Sequence, residues 1–265
     1  MSKLKSKNSV FSFWKSLRVA ILLIVLLVVA LGAWRDGNQD WDKPIMILLH
    51  PINADGRPST AQYIQSLQSA NFTESQDYFK ATIKQYTGKN ASVYFTYGRE
   101  LTDKPPVVPN SGKVLDAIIW SLKFRYYAWK QHKSSDGSPT TTLYLNFYDP
   151  QYQQSLRDST ALQKGRIGIV NLFADEPHHG SNQVVMVHEL LHTFGATDKY
   201  DLSTGQPIYP IGFAEPEKQP RFPQAKAELM AAYIPLSETK GITPPNLSKT
   251  VINKLTAQEV GWLKK

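Results

Sequence analysis

The sequence predicts an α/β fold in which helices pack on a twisted mixed sheet, closed by a small C-terminal helical subdomain. Three observations lead to it. Short runs of strand character alternate with longer amphipathic runs through residues 45–194, the pattern that lays helices against a sheet. A Pro- and Gly-rich stretch, residues 203–223, separates this alternating part from a short apolar tail. The 265 residues suit one domain of ordinary size behind an N-terminal apolar segment.

Residues 1–16 form a basic tail and residues 17–34 the apolar segment. Residues 19–33 hold no charged side chain, and Trp14 and Trp34 flank them. A spanning helix needs about 17–25 apolar residues, a length that Leu17 and the flanking tryptophans complete. Lys3, Lys5, Lys7, Lys15 and Arg18 precede the run, with no acid among them. The positive-inside rule then keeps the N-terminus in the cytoplasm and exports the rest of the chain, to the periplasm or the extracellular side, as a single-pass protein. Retained, the segment is a transmembrane anchor or an uncleaved signal. The competing reading is a signal peptide cut near Ala30-Leu31-Gly32. Residues 35–43 read as a polar linker, and residues 44–265 as one folded domain.

Within that domain, residues 45–49 are a buried strand, residues 73–86 an amphipathic helix closed by Gly88, and residues 92–97 an alternating strand. Residues 114–130 form a second helix, started near Ser111 and crowded with Trp120, Phe124, Tyr126, Tyr127 and Trp129, an aromatic set that packs across a sheet. Residues 143–148 and 167–173 are further strands. A last long helix, capped by Ser181 or Asn182, runs to Phe194. Residues 203–223 are irregular, and residues 248–262 close the chain as one or two short helices with Val251, Leu255, Val260 and Trp262 as their apolar side.

The segment from His188 to Asp198 reads HELLHTFGATD, and each fixed position has its own chemical task. On a helix His188 and His192 stand one turn apart on one face, so both imidazoles reach a single metal ion. Glu189 lies beside them, within reach of a water at that metal. Gly195 lets the backbone leave the helix at positive φ, at no cost in Cβ contacts. The turn swings Asp198 back as a third ligand, with Asp201 as the fallback. Two histidines, one carboxylate and a free fourth position describe a catalytic zinc, Zn2+, rather than a closed structural one.

These residues resemble the zinc-binding consensus of the metzincin metallopeptidases, in the snapalysin-like variant whose third ligand is Asp. The likeness covers residues 182–234. It implies a metzincin, zincin-like fold and a zinc metalloendopeptidase, with His188, His192 and Asp198 as metal ligands and Glu189 as general base. It also implies a Met-turn beneath the histidines, for which Met230 in Ala-Glu-Leu-Met-Ala (227–231) is the candidate. One departure stands out: some members place a metal-contacting Tyr two residues after the Met, where this chain has Ala232, followed by Tyr233.

Other residues near the motif are open to several readings. Tyr200 either stabilises an oxyanion or packs under the turn. Glu228 is a potential acceptor for a ligand histidine N–H. His178 and His179 read as solvated loop residues, the alternative being a second ion or a cleft wall. Residues 167–173 are the expected exposed strand edge to which a substrate peptide adds, and residues 203–223 would wall the pocket beyond the scissile bond.

Composition narrows the partners. Five of the formal +8 charges precede the apolar run, which leaves +3 for the exported part. No basic stripe accompanies it, so nucleic acid is not an expected partner. A peptide or protein substrate is, and the membrane through the N-terminal segment. The sequence has no Cys, which excludes thiolate ligands and a cysteine latch. Besides the peptidase, two readings stay open: a catalytically silent binding module on the same fold, and a zinc amidohydrolase acting on a non-peptide amide.

Overall fold

A computed structural model describes residues 8–264; Lys3, Lys5 and Lys7 of the basic tail lie outside the described residues. Helix α1 (Asn8–Gly37) carries the apolar run. Its segment Phe13–Gly37, 25 residues, is long and apolar enough to cross a membrane. At 1.5 Å per residue it reaches about 37 Å, against a hydrocarbon core of about 30 Å.

Five strands build the sheet: β1 (Ile45–Asn53), β2 (Val93–Tyr97), β3 (Thr141–Tyr148), β4 (Thr160–Leu162) and β5 (Ile167–Phe173). They lie in the order β2-β1-β3-β5-β4, and only β4 is antiparallel to its neighbour. Helices α2 (Pro58–Ser66) and α3 (Thr73–Thr87) connect β1 to β2, α4 (Val114–Gln131) connects β2 to β3, and α5 (His179–Thr193) follows β5. The second crossover reverses the direction of the first across the sheet. Right-handed connections then require α3 and α4 on opposite faces. Strand alternation provides both faces with a core. Leu143, Leu145 and Phe147 of β3 join Phe79 of α3 and Leu190 and Leu191 of α5, while Tyr144 joins Trp120, Phe124 and Tyr127 of α4.

Several elements depart from the sequence reading, each for a physical reason. Helix α2 has no counterpart in that reading: only Thr60, Tyr63 and Ile64 of its nine residues are buried, too few for a clear period. Strand β4 is three residues long and forms because Gly165 (φ +102°) and Arg166 (φ +50°) fold the chain back onto β5. Neither Ser181 nor Asn182 caps the long helix, which begins at His179. Asn182 instead clamps the end of β5, donating to Phe173 O (2.8 Å) and accepting from Phe173 N (3.1 Å). Gly88, by contrast, closes α3 at φ +71° as the sequence predicts.

The C-terminal part is less helical than expected. It holds one six-residue helix, α6 (Lys254–Glu259), and two small ladders, β6 (Ala227–Glu228) with β9 (Thr250–Val251) and β7 (Ile234–Pro235) with β8 (Gly241–Ile242). Glu228, fully buried, organises it by accepting from Met230 N (2.6 Å), Asn253 N (3.2 Å) and Thr256 Oγ1 (2.8 Å). Burial pushes its carboxyl above the ordinary range, against the pull of these three donors.

Residues 35–43 are not a free linker. Asp36 is buried; its Oδ2 accepts from Gly165 N (2.7 Å) and its backbone oxygen from the Arg166 guanidinium (2.7 Å). Trp41 packs on Phe79, Phe194 and Trp262 and donates from Nε1 to Val260 O (2.9 Å). The end of α1 is therefore fastened to the sheet and to the C-terminus together. Trp41→Ala, at a half-buried aromatic with a hydrogen bond, should cost about 2–3 kcal/mol. The urea midpoint of the full chain in detergent measures this, and an unchanged midpoint would mean that the segment is a loose connector.

Candidate metal centre

Helix α5 runs along the sheet beside β5, and its second half is apolar on the core side, where Met186, Val187, Leu190 and Leu191 are fully buried. That packing fixes the rotation of the helix and turns His188 and His192 to the other side. Their rings meet edge to face, with centroids 4.7 Å apart. His188 Nδ1 donates to Leu229 O at 3.0 Å and His192 Nδ1 to Ala196 O at 2.8 Å. With both Nδ1 atoms committed to carbonyls, the Nε2 atoms are left to face one another, 3.0 Å apart.

Asp198 completes a triangle. Its Oδ1 lies 3.1 Å from each Nε2. No hydrogen-bond donor is aligned with this buried oxygen. A tetrahedral ion with bonds of about 2.0–2.1 Å holds its ligand atoms roughly 3.3 Å apart, close to this triangle. His188, Glu189 and His192 form a group whose ligand-type atoms lie within 4.8 Å of one another, a group that could hold a metal ion. Glu189 is buried beside the triangle, and its Oε2 also lacks a donor. Two imidazole nitrogens and one carboxylate oxygen converging on one point fit a divalent ion of the zinc class.

The charges agree with that fit. Burial alone disfavours a charged His188, yet the adjacent Asp198 and Glu189 outweigh it and lift the metal-free imidazole to about 9. Burial tends to raise Asp198 too, but the two histidines pull it well below the usual carboxylate range. Glu189 moves upward because burial exceeds the pull of the same histidines, helped by the nearby charges of Asp198 and Asp158. A carboxylate this close to the two Nε2 atoms favours a positive charge between them, which a divalent metal ion would supply.

Asp198 is held in place from both sides. Gly195 leaves α5 at φ +101°, and a Cβ there would fall 2.5 Å from Gln163 Nε2. Thr197 donates from N and Oγ1 to the two oxygens of Glu259 (3.0 and 2.8 Å). Lys199, its side chain almost fully buried, donates from Nζ to Glu259 Oε2 at 2.7 Å and to Thr197 O at 2.7 Å. Its backbone N–H reaches Met230 O at 2.8 Å. The residues flanking Asp198 are thus pinned to α6 and to the turn 229–231.

The remaining sequence-predicted residues take various places. Met230 is fully buried in the main core, and its turn reaches His188 through the Leu229 carbonyl. Glu228 takes no histidine N–H; Leu229 O and Ala196 O do that work. Tyr200 faces Asp198, and burial together with the charges of Asp198 and Glu189 holds its hydroxyl proton on. Tyr233 sits against Gly241 in the small ladder. Asp201 turns its Oδ1 to its own loop, accepting from Ser203 N and Thr204 N (both 2.9 Å). His178 stays partly solvent-exposed and pairs with Asp175 (2.6 Å), while His179 contacts Asn71 O (3.2 Å) and Gln183 (3.1 Å). Strand β5 is no free edge either, since β4 covers Ile167–Ile169 and Ser159 Oγ accepts from Asn171 N. Lys199, Glu259 and Asp158 escape a reading of the sequence, because a lysine or an acid far from the motif carries no sign that it turns inward.

No protein-family model matches the chain, and no curated protein matches it. Among solved structures, one described as a chaperone-substrate complex aligns with 84% of this chain at 16% identity and a TM-score of 0.40. This chain spans 35% of that one. An archaemetzincin from Methanopyrus kandleri aligns with 62% of this chain and 79% of its own length, at 18% identity and a TM-score of 0.31. Likeness of this order carries no argument about activity, so the functional reading rests on the site.

Because Glu259 positions Asp198 without touching the centre, Glu259→Gln should weaken divalent-metal retention by about 10–100-fold, the usual effect of losing an outer partner. Competition with a chelator, on protein whose circular dichroism is unchanged, measures it. Equal retention would show that the loop holds Asp198 unaided.

Proposed function

We propose that the chain is a membrane-anchored, zinc-dependent metalloendopeptidase. One observation carries the reading: two Nε2 atoms and Asp198 Oδ1 crowd within 3.1 Å of one another while both Nδ1 atoms are committed to carbonyls. His188, His192 and Asp198 would hold zinc, leaving a fourth position open. When bound, zinc supplies Lewis-acid polarisation of the scissile carbonyl and makes a water more acidic.

This chain's own residues do the rest. Glu189, buried with an unpartnered oxygen, takes the proton of the attacking water and delivers it to the leaving amine. Burial raises its affinity for a proton, which suits that exchange, since a carboxyl nearer neutrality both accepts and returns a proton. Asp158 contributes to the shift from the loop before β4. Tyr200 stays protonated as a donor facing Asp198.

Strand β4 is the sheet's edge and packs beside α5. An extended peptide adding to its open side would lie along the metal centre, by the main-chain pairing that recognises peptides generally. Residues 203–223 would wall the pocket beyond the scissile bond. Helix α1, with Lys15 and Arg18 at its N-terminal end, would keep the N-terminus in the cytoplasm and the centre on the exported side.

Digestion of a peptide library by the full chain, with zinc measured on the same samples, tests the reading. Glu189→Gln should keep zinc and lose about 10²–10⁴ in rate. Asp198→Asn should lose zinc first and activity as a consequence. Undiminished hydrolysis by Glu189→Gln would sink the mechanism. A wild type that holds zinc and cleaves only non-peptide amides would make the chain an amidohydrolase, and one that holds zinc and cleaves nothing would make it a binding module.

A further inference from the structure

Helix α4 has two apolar stripes, and the sheet uses only one. Trp120, Phe124 and Tyr127 face the sheet and are buried. Leu115, Ile118, Ile119, Leu122, Tyr126 and Trp129 recur at spacings of three and four and share the opposite side of the helix. All six are exposed, from 43% at Ile119 to 73% at Trp129. From Leu115 to Trp129 the stripe extends about 21 Å at the helical rise. Soluble surfaces rarely leave so continuous an apolar strip uncovered.

The residues bordering the strip identify its occupant. Lys123 and Lys130 lie along one side and Arg125 along the other, while the helix's one acid, Asp116, accepts from Ser111 Oγ (2.5 Å). Tyr126 and Trp129 pack together at its C-terminal end, with ring centroids 5.7 Å apart. Apolar side chains flanked by cations, with Tyr and Trp among them, are the composition of a helix lying in an anionic bilayer surface. The strip is also tied to the apolar helix α1. Arg125 donates to Lys164 O at 2.8 Å, and the next two residues, Gly165 and Arg166, hold Asp36 at the end of α1.

We propose that the outer stripe of α4 docks onto the anionic phospholipid surface of the membrane that α1 enters. The inference rests on the anchor reading of α1. It gives the domain two membrane attachments joined through the turn 163–166. Because α4 and α5 pack on opposite faces of the sheet, this docking puts α5 and its metal centre on the face turned away from lipid. The substrates it selects are therefore peptide segments in the aqueous phase, not segments within the bilayer.

The absence of Cys in the sequence makes the test direct. The full chain is reconstituted into phosphatidylethanolamine–phosphatidylglycerol vesicles with a single nitroxide-labelled cysteine. Leu122→Cys and Ile118→Cys report the stripe, Leu26→Cys reports α1, and Thr239→Cys reports a surface remote from both. The expected result is greater collision with dissolved oxygen than with a water-soluble nickel chelate at Ile118, Leu122 and Leu26, and the reverse at Thr239. A lipid signal at Leu26 with a water signal at Ile118 and Leu122 overturns the docking and leaves the anchor standing. A water signal at Leu26 overturns both. Shielding of Ile118 and Leu122 from both reagents means that protein, such as a second copy of the chain, covers the stripe, and this too overturns the proposal.

Discussion

Two imidazole lone pairs and a carboxylate oxygen, brought within about 3 Å of each other in a largely buried cluster, repel unless something positive sits among them. Much of the architecture serves to impose that crowding. The buried side of α5 sets the rotation of His188 and His192, and the carbonyls of Leu229 and Ala196 set their tautomers. Gly195 turns the chain, and Glu259, Thr197 and Lys199 hold the turn so that Asp198 cannot relax away. A cluster so constrained has two ways to settle, a proton or a metal ion. The zinc reading rests on that choice together with the donor set.

The C-terminal part draws its importance from the same constraint. It has little regular structure, yet it supplies Leu229 O to His188 and Glu259 to the loop of Asp198. Its own order depends on Glu228, a buried carboxyl that satisfies three donors, and on Trp262 against Trp41 and Phe79. The segment after α1 packs into this same region through Trp41. The apolar helix, the sheet and the metal-centre loop are therefore mechanically connected rather than strung on a flexible tether.

The range of each interaction decides how much of this was legible in the sequence. The helix and strand periods of α3, α4, β3, β5 and α5 are local, and their positions can be read from spacing. The spacing of His188 and His192 on one helix face is local as well, as is the positive φ at Gly195. The features that escape depend on partners distant in sequence. Strand β4 exists because it pairs with β5, not because three residues favour extension. Lys199 is buried because Glu259, sixty residues on, neutralises it. Glu228 stands two residues before Met230 and suggests a histidine partner, but its donors come from its own turn and from the C-terminal segment.

The central claim is that His188, His192 and Asp198 bind one zinc ion with an open fourth position. The zinc X-ray absorption spectrum of the purified full chain tests this most directly. The account predicts about one zinc per chain, with two imidazole nitrogens at about 2.0–2.1 Å and oxygen neighbours at about 2.0–2.2 Å. A spectrum with only oxygen neighbours, or one unaltered by replacing both His188 and His192 with Ala, would contradict it.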